Sequence, residues 1–248
     1  MVILKNESEI AKMRASGRIL ARTLRIVSEE IAPGKTPKQL NDLAHRLISE
    51  AGAYPSFLNY RNFPAATCIS VNEVVVHGIP GDLPLREGDI VSLDFGVLLD
   101  GYHADSAWTY PVGTISTENK RLLNVTRESL YQGIAKAKPG NTTGDIGSAV
   151  QRYVESNGYS IVRDLVGHGI GRSLHEDPSV PNYGKPGSGV KFKEGATVCI
   201  EPMVNAGTWR VTQDEDGWTI RSADRKNSAH FEHTVAIVKG GAEILTQE

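Results

Sequence analysis

The strongest constraint on this 248-residue chain is that much of it is written twice. "IAPGKTPKQLNDLAHRLISEAG" (31–52) aligns without a gap with "AKPGNTTGDIGSAVQRYVESNG" (137–158). Pro33/Pro139, Gly34/Gly140, Thr36/Thr142, Arg46/Arg152 and Gly52/Gly158 are identical, and Leu40/Ile146 and Ile48/Val154 keep one apolar face. At nearly the same offset, "REGDIVSLD" (86–94) aligns with "KEGATVCIE" (193–201), which sets Asp94 against Glu201. "HADSAWTYPVG" (103–113) aligns more weakly with "HFEHTVAIVKG" (230–240), setting Asp105 against Glu232. A helix opened by Pro-Gly is common on its own, but three matches in one order point to two similar units. The expected fold class is α+β: two halves, over approximately 10–113 and 118–240, packed about a pseudo-twofold axis in a single domain spanning 1–248. Each half would bring two acidic strand residues toward that axis.

The helices of each half read from periodicity. Ile10, Met13, Gly17, Leu20, Leu24, Val27 and Ile31 recur at spacings of three and four, with Asn6 and Glu9 spaced as a capping box. A second helix opens at Thr36-Pro37, with Gln39 at the capping-box position, and runs to Gly52. Helices over 118–137 and 143–157 are their expected counterparts.

The paired carboxylates carry the chemistry. In "VSLDFGVLLDGYHADSA", Asp100-Gly101 between β-rich runs is a two-residue hairpin signal. That turn pairs Leu99 with Tyr102, Val97 with Ala104, Gly96 with Asp105 and Asp94 with Ala107. Side chains alternate with period two, so Asp94 and Asp105 share a face as diagonal neighbours, with Cα atoms about 7–8 Å apart. Gly96 and Ala107 would leave open space between them. Either aspartate alone could be a solvated residue on the outer face. Glu201 in "VCIEPMV" and Glu232 in "AHFEHTVAIV" weaken that reading, because both sit amid apolar strand sequence. Four carboxylates at one axis repel strongly unless cations neutralise them, and two divalent ions carry the matching charge.

"LVGHGIGRSLHEDP" (165–178) supplies two histidines, His168 and His175, in glycine-rich sequence. A phosphate loop fits poorly, since no GK[ST] follows and no strand–helix start precedes it. A lone histidine beside glycines would read as a turn or core residue. With four carboxylates to serve, His168 reads as a fifth, nitrogen ligand. Glu176 reads as structural.

Composition excludes other classes. A net charge of −2 gives no basic signature for nucleic acid or anionic membrane. Two cysteines, Cys68 and Cys199, make no disulfide framework. "MVIL" before Lys5 is too short for a signal h-region, and no apolar run approaches the roughly 20 residues that span a bilayer. The expectation is a cytoplasmic protein.

"NEVVVHGIP", "DIVSLDFGVLLDGYHAD", "GHGIGRSLHEDP", "IEPMV" and "FEHT" together resemble the type I methionine aminopeptidases, in their bacterial form. The resemblance runs over nearly the whole chain. It implies the pita-bread fold, with two pseudo-twofold-related α+β halves and a curved antiparallel sheet. It implies a dinuclear centre, with Asp105 and Glu232 bridging two divalent ions, Asp94 on one, and His168 and Glu201 on the other. Four hard oxygens and one imidazole suit Co, Mn, Fe or Zn. The resemblance further implies Glu201 as general base, and His77 and His175 as donors to the substrate backbone and the tetrahedral oxyanion. The substrate pocket it implies includes Tyr60, Phe63, Cys68, His77, His175 and Trp218. The sequence departs from the family at that pocket: Phe63 stands where tyrosine is frequent and Leu174 where phenylalanine is frequent, and Phe57 lies near a position often small or sulfur-bearing.

The implied activity is removal of the initiator methionine from nascent proteins with a small second residue. N-terminal Met peptides and nascent chains are the expected partners, with a transient ribosome contact and a monomeric state. An Xaa-Pro-type peptidase of the same fold is the main alternative, although such relatives usually carry an added N-terminal domain. A non-catalytic peptide- or RNA-binding relative is the other, and such relatives typically lose the metal ligands that are all present here.

Overall fold

Both copies of the repeated segment fold alike, and for the same local reasons. In the computed structural model, which describes residues 2–248, α2 spans Pro37–Glu50 and α4 spans Thr143–Ser156. Each starts at a threonine, Thr36 or Thr142, whose hydroxyl accepts the backbone N–H of Gln39 or Asp145. The Gln39 and Asp145 side chains accept the threonine N–H in return, closing a capping box. The turns leading in share one glycine conformation, with Gly34 and Gly140 both at φ +90°, where a side chain would be strained.

The partner helices are α1 (Glu7–Glu29) and α3 (Thr117–Ile134). α1 carries the Asn6–Glu9 capping box and buries Ile10, Met13, Leu20, Leu24 and Val27. The helix expected to reach 137 ends at Ile134. The Lys136 and Ala137 N–H groups bond back three residues, to Gly133 and Ile134, and the chain turns toward Pro139, which disfavours helix before it.

Each helix pair lies on an antiparallel sheet. In the first half, β1 (Ile90–Leu99) and β2 (Tyr102–Pro111) form a long hairpin with the expected register: Leu99 opposite Tyr102, Val97 opposite Ala104, Gly96 opposite Asp105 and Asp94 opposite Ala107. Asp100 and Gly101 both take positive φ, as a two-residue hairpin turn demands. The strand Cys68–Val71 pairs with the other edge of β1, placing Cys68 opposite Asp94. In the second half, β3 (Thr197–Ile200) occupies the equivalent central place, between β4 (His233–Val238) and the short strand Gly167–Gly169. Among the described residues two large hydrophobic cores result, one around Leu20, Phe95 and Tyr102, the other around Leu122, Ile146 and Val198, with a small third cluster of Val75, Val76, Val162 and Met203. Among the described residues, no helix is long and apolar enough to cross a membrane.

The halves are stitched where β2 runs beside residues 230–234. The Glu232 N–H donates to the Ala107 carbonyl at 2.8 Å, and the Ser106 hydroxyl donates to the Glu232 carbonyl at 2.7 Å. Thr234 Oγ1 accepts the Asp105 N–H at 2.9 Å and donates to the Asp105 carbonyl at 2.8 Å. These bonds fix the backbone of two acidic residues, Asp105 and Glu232, across the seam.

Thr234→Val keeps the volume but strands both backbone groups of Asp105, each a cost of roughly 1–3 kcal/mol when buried. Urea unfolding of this variant is expected to show a loss of about 2–4 kcal/mol with an unchanged m-value. A loss below about 0.5 kcal/mol would show that these bonds do not hold the halves together.

Candidate active site

A cavity of about 140 Å³ opens at the seam and draws its walls from both halves. Asp94 on β1 and Asp105 on β2 reach it from one side; Glu201 after β3, Glu232 before β4 and His168 on Gly167–Gly169 reach it from the other. Asp94, Asp105 and Glu232 are 7%, 3% and 2% exposed. Asp94 Oδ1, Asp105 Oδ1 and Glu232 Oε1 are buried without a hydrogen-bond partner. Ionised oxygens in that state are costly unless a cation sits against them.

The electrostatics follow. Burial, with the Glu201 charge added, pushes the Asp105 carboxyl up to about 8. Burial and then the neighbouring carboxylates raise Asp94 and Glu232 well above the ordinary carboxylate range. Without cations the cluster must therefore hold protons at neutral pH.

His168 is oriented for a cation. Its Nδ1 lies 2.8 Å from the Gly169 carbonyl, which can only accept, so Nδ1 carries the hydrogen. The Nε2 lone pair then faces Glu201 Oε1 at 3.7 Å and Asp105 Oδ2 at 4.0 Å. A lone pair set against two carboxylates is repulsive unless a proton or a metal ion lies between them. Donor atoms of Asp105, His168, Cys199 and Glu232 all lie within 4.8 Å of one another, as do those of Glu201, His230 and Glu232. Asp94 is in neither set, and lines the cavity beside them. The unpartnered oxygens, the bare imidazole nitrogen and the mostly hard donor set fit divalent ions.

Two residues of these sets, Cys199 and His230, were not singled out from the sequence. Each stands two residues before an acidic member, Glu201 or Glu232, the spacing that strand alternation would put on one face. One expectation is corrected. Gly96 does not leave open space, because a Cβ there would meet Ser56 Cβ at 2.8 Å. Ser56 fills that gap and bonds Nδ1 of His103 at 2.8 Å. Glu176 lies in a buried ion pair with Lys5 at 2.6 Å.

The remaining walls are mostly apolar and aromatic, with the charged Arg61 among them. Phe57, Phe63, Cys68 and Leu174 line the cavity with Tyr60 and Trp218. The Trp218 ring meets Phe63 edge-on at 5.1 Å and His77 at 6.3 Å. Trp218 sits on the hairpin formed by Val211–Gln213 and Ile220–Ser222, where Asp216 accepts the N–H groups of Trp218 and Thr219. Arg221 ties that hairpin to Asp214 at 2.6 Å and to Glu73 at 2.8 Å.

His77 and His175 flank the donor cluster. Desolvation lowers the His77 pKa, and desolvation, followed by the cost of placing a second charge beside His168 and Arg61, pushes His175 down to about 3. Both are thus neutral imidazoles at neutral pH. His175 Nδ1 is 2.9 Å from the Tyr60 hydroxyl, the two rings stack at 5.3 Å, and the His168 ring is 4.1 Å away. His77 adopts φ +59°, an uncommon backbone state for a residue with a side chain.

Comparison with known proteins agrees over the whole chain. Residues 11–239 match metallopeptidase family M24. The sequence is 53% identical to a methionine aminopeptidase of Clostridium perfringens, over 99% of both chains. The fold matches the crystal structure of a methionine aminopeptidase from Thermotoga maritima at TM-score 0.98 and 47% identity, covering 100% of both. It also matches a prolidase from Pyrococcus furiosus at TM-score 0.81 and 25% identity, but covers only 66% of that longer chain.

The raised carboxyls set a pH dependence for the protein stripped of metal by chelation. Asp105 holds its proton up to about pH 8 in the folded chain, but loses it near the ordinary carboxylate value when unfolded. The folded state therefore binds more protons in that interval, and stability falls as pH rises through it. The depressed histidines oppose this only below about pH 6.5, where unfolded histidine titrates. The urea midpoint of the stripped protein is expected to drop between pH 6.5 and 8.5, and added Mn²⁺ or Co²⁺ to abolish the drop. An equal or higher midpoint at pH 8.5 would contradict the account.

Proposed function

The chain belongs to metallopeptidase family M24, a family of hydrolases, and from that premise we propose that it removes the N-terminal methionine from nascent proteins whose second residue is small. One observation carries this reading: a cluster of four carboxylates and a lone-pair imidazole shares a single cavity with an aromatic pocket and two neutral histidines. Asp105 and Glu232 would serve both ions of a two-ion centre, Asp94 one of them, and His168 and Glu201 the other. That Glu232 belongs to both close donor sets supports a bridging role. When bound, two divalent ions of the Mn, Fe, Co or Zn type supply Lewis acidity and acidify water.

The protein's own side chains do the rest. Glu201 is the least buried of the four acids, which suits a carboxylate that accepts a proton from the attacking water and passes it to the leaving amine. His175 and His77, neutral and therefore each carrying one N–H, donate to the scissile carbonyl and the substrate backbone as negative charge develops on oxygen. Tyr60 fixes the orientation of His175 through Nδ1. Tyr60, Phe63, Cys68 and Trp218, with Phe57 and Leu174, enclose the methionine side chain. Phe57, Phe63 and Leu174 give this pocket an apolar wall, with Arg61 also lining the cavity, and that wall suits an unbranched thioether guest. The whole chain, 1–248, acts in this reading as one catalytic domain, monomeric and cytoplasmic, meeting its substrates as they leave the ribosome.

The wild type, stripped and reloaded with Mn²⁺ or Co²⁺, is expected to release methionine from Met-Ala-Ser. Glu201→Ala should abolish release. His175→Ala should lower kcat by about 10²–10³-fold, as loss of an oxyanion donor does elsewhere, with a smaller change in KM. Preferential cleavage of Ala-Pro would assign the chain to the proline-specific branch instead. Absence of methionine release under every divalent metal would overturn the reading.

A further inference from the structure

His230 is the one buried imidazole at this centre to which the reading above gives no task. Its backbone is pinned: the strand Ser228–His230 pairs with Met203–Asn205, and Thr109 Oγ1 bonds both the N–H and the carbonyl of His230, each at 2.9 Å. The side chain is 2% exposed, and neither Nδ1 nor Nε2 has a hydrogen-bond partner. An orphaned buried imidazole is costly, so a fold that keeps one has a use for it. Nε2 points at Glu201 Oε2, 3.5 Å away, while Glu201 Oε1 lies 3.7 Å from His168 Nε2. The Glu201 carboxylate thus stands between two imidazoles, one oxygen toward each.

A carboxylate that offers one oxygen to a metal set leaves the other in need of a donor, and such outer partners fix the orientation of the ligand. At 3.5 Å the contact is long for a hydrogen bond, as catalytic contacts commonly are before substrate and metal tighten them. We propose that His230 donates its Nε2–H to Glu201 Oε2 and so acts as a positioning residue, holding Oε1 of the proton-relaying carboxylate toward the metal side. The inference rests on the role assigned to Glu201. It makes His230 specific in chemistry and not only in shape: any side chain that brings an N–H to the same point serves, and an isosteric apolar ring does not.

The test compares His230→Ala, His230→Phe and His230→Gln. Steady-state kinetics on Met-Ala-Ser are read beside metal affinity, measured by chelator competition on each stripped protein. His230→Ala and His230→Phe are expected to lose about 10–100-fold in kcat with KM within about twofold, and to bind metal more weakly. His230→Gln, whose amide N–H can reach Oε2, should recover most of both. Wild-type kcat and metal affinity in His230→Phe would overturn the proposal. So would a His230→Gln as impaired as His230→Phe with zinc affinity lost more than manganese affinity, since the imidazole would then be a ligand. If the wild type itself fails to release methionine, the functional reading falls, while the metal-affinity comparison still decides the role of His230. Thermal unfolding of each stripped variant separates these effects from misfolding, and His230→Phe preserves the ring volume should His230→Ala unfold.

Discussion

Mutual repulsion among buried carboxylates at the seam is the constraint on which the rest of the structure depends. Asp105 and Glu232 are each almost fully buried, and each has an oxygen with no hydrogen-bond partner. Their main chains are nonetheless locked by hydrogen bonds that cross from one half to the other, through Thr234, Ser106 and Ala107. The backbone therefore forces together groups that the side-chain electrostatics push apart. Such an arrangement is stable only if protons or cations take up the charge. The protein invests its interdomain-like hydrogen bonding in holding a site open for positive charge, which is the arrangement a metallopeptidase requires.

That tension explains why the duplicated sequence matters chemically. Each half alone is a helix pair on an antiparallel sheet, and each presents two acids, on its strands in the first half and just beyond strand ends in the second. The second half supplies Glu201, His230 and Glu232 by itself, but the set of His168, Cys199 and Glu232 is completed by Asp105 of the first half, which reaches it because β2 lies along the seam. The apolar side of the cavity has the opposite origin. Its walls come from segments lying between the aligned stretches of the two halves, the turn around Tyr60 and the hairpin tip at Trp218, anchored by Asp216 and Arg221. The metal-type donors thus belong to the paired framework, and the side-chain pocket to additions on it.

Much of this was legible in the sequence because it rests on local rules. Thr36 and Gln39 announce a capping box, Asp100-Gly101 sets the hairpin register, and period-two alternation puts Asp94 and Asp105 on one face. What was not legible depends on tertiary contact. The space beside Gly96 could not be known to hold Ser56, which arrives from a segment forty residues away. The early end of α3 follows from the turn before Pro139 and not from any loss of helical periodicity. Cys199 and His230 were visible in principle through alternation, but nothing local distinguishes a histidine facing a carboxylate from one packed in a core. Alignment with relatives fixes the family, while the orphaned ring nitrogens of His230 emerge only from three-dimensional accounting of hydrogen bonds.

The central claim, that the seam carboxylates are held together by divalent cations, predicts a coupled uptake of metal and loss of protons. Calorimetric titration of Mn²⁺ into the stripped protein at pH 7, repeated in buffers of different ionisation enthalpy, measures both at once. The account predicts two ions bound per chain with net proton release, because Asp94, Asp105 and Glu232 are protonated beforehand. Binding without proton release, or no saturable binding, would contradict it.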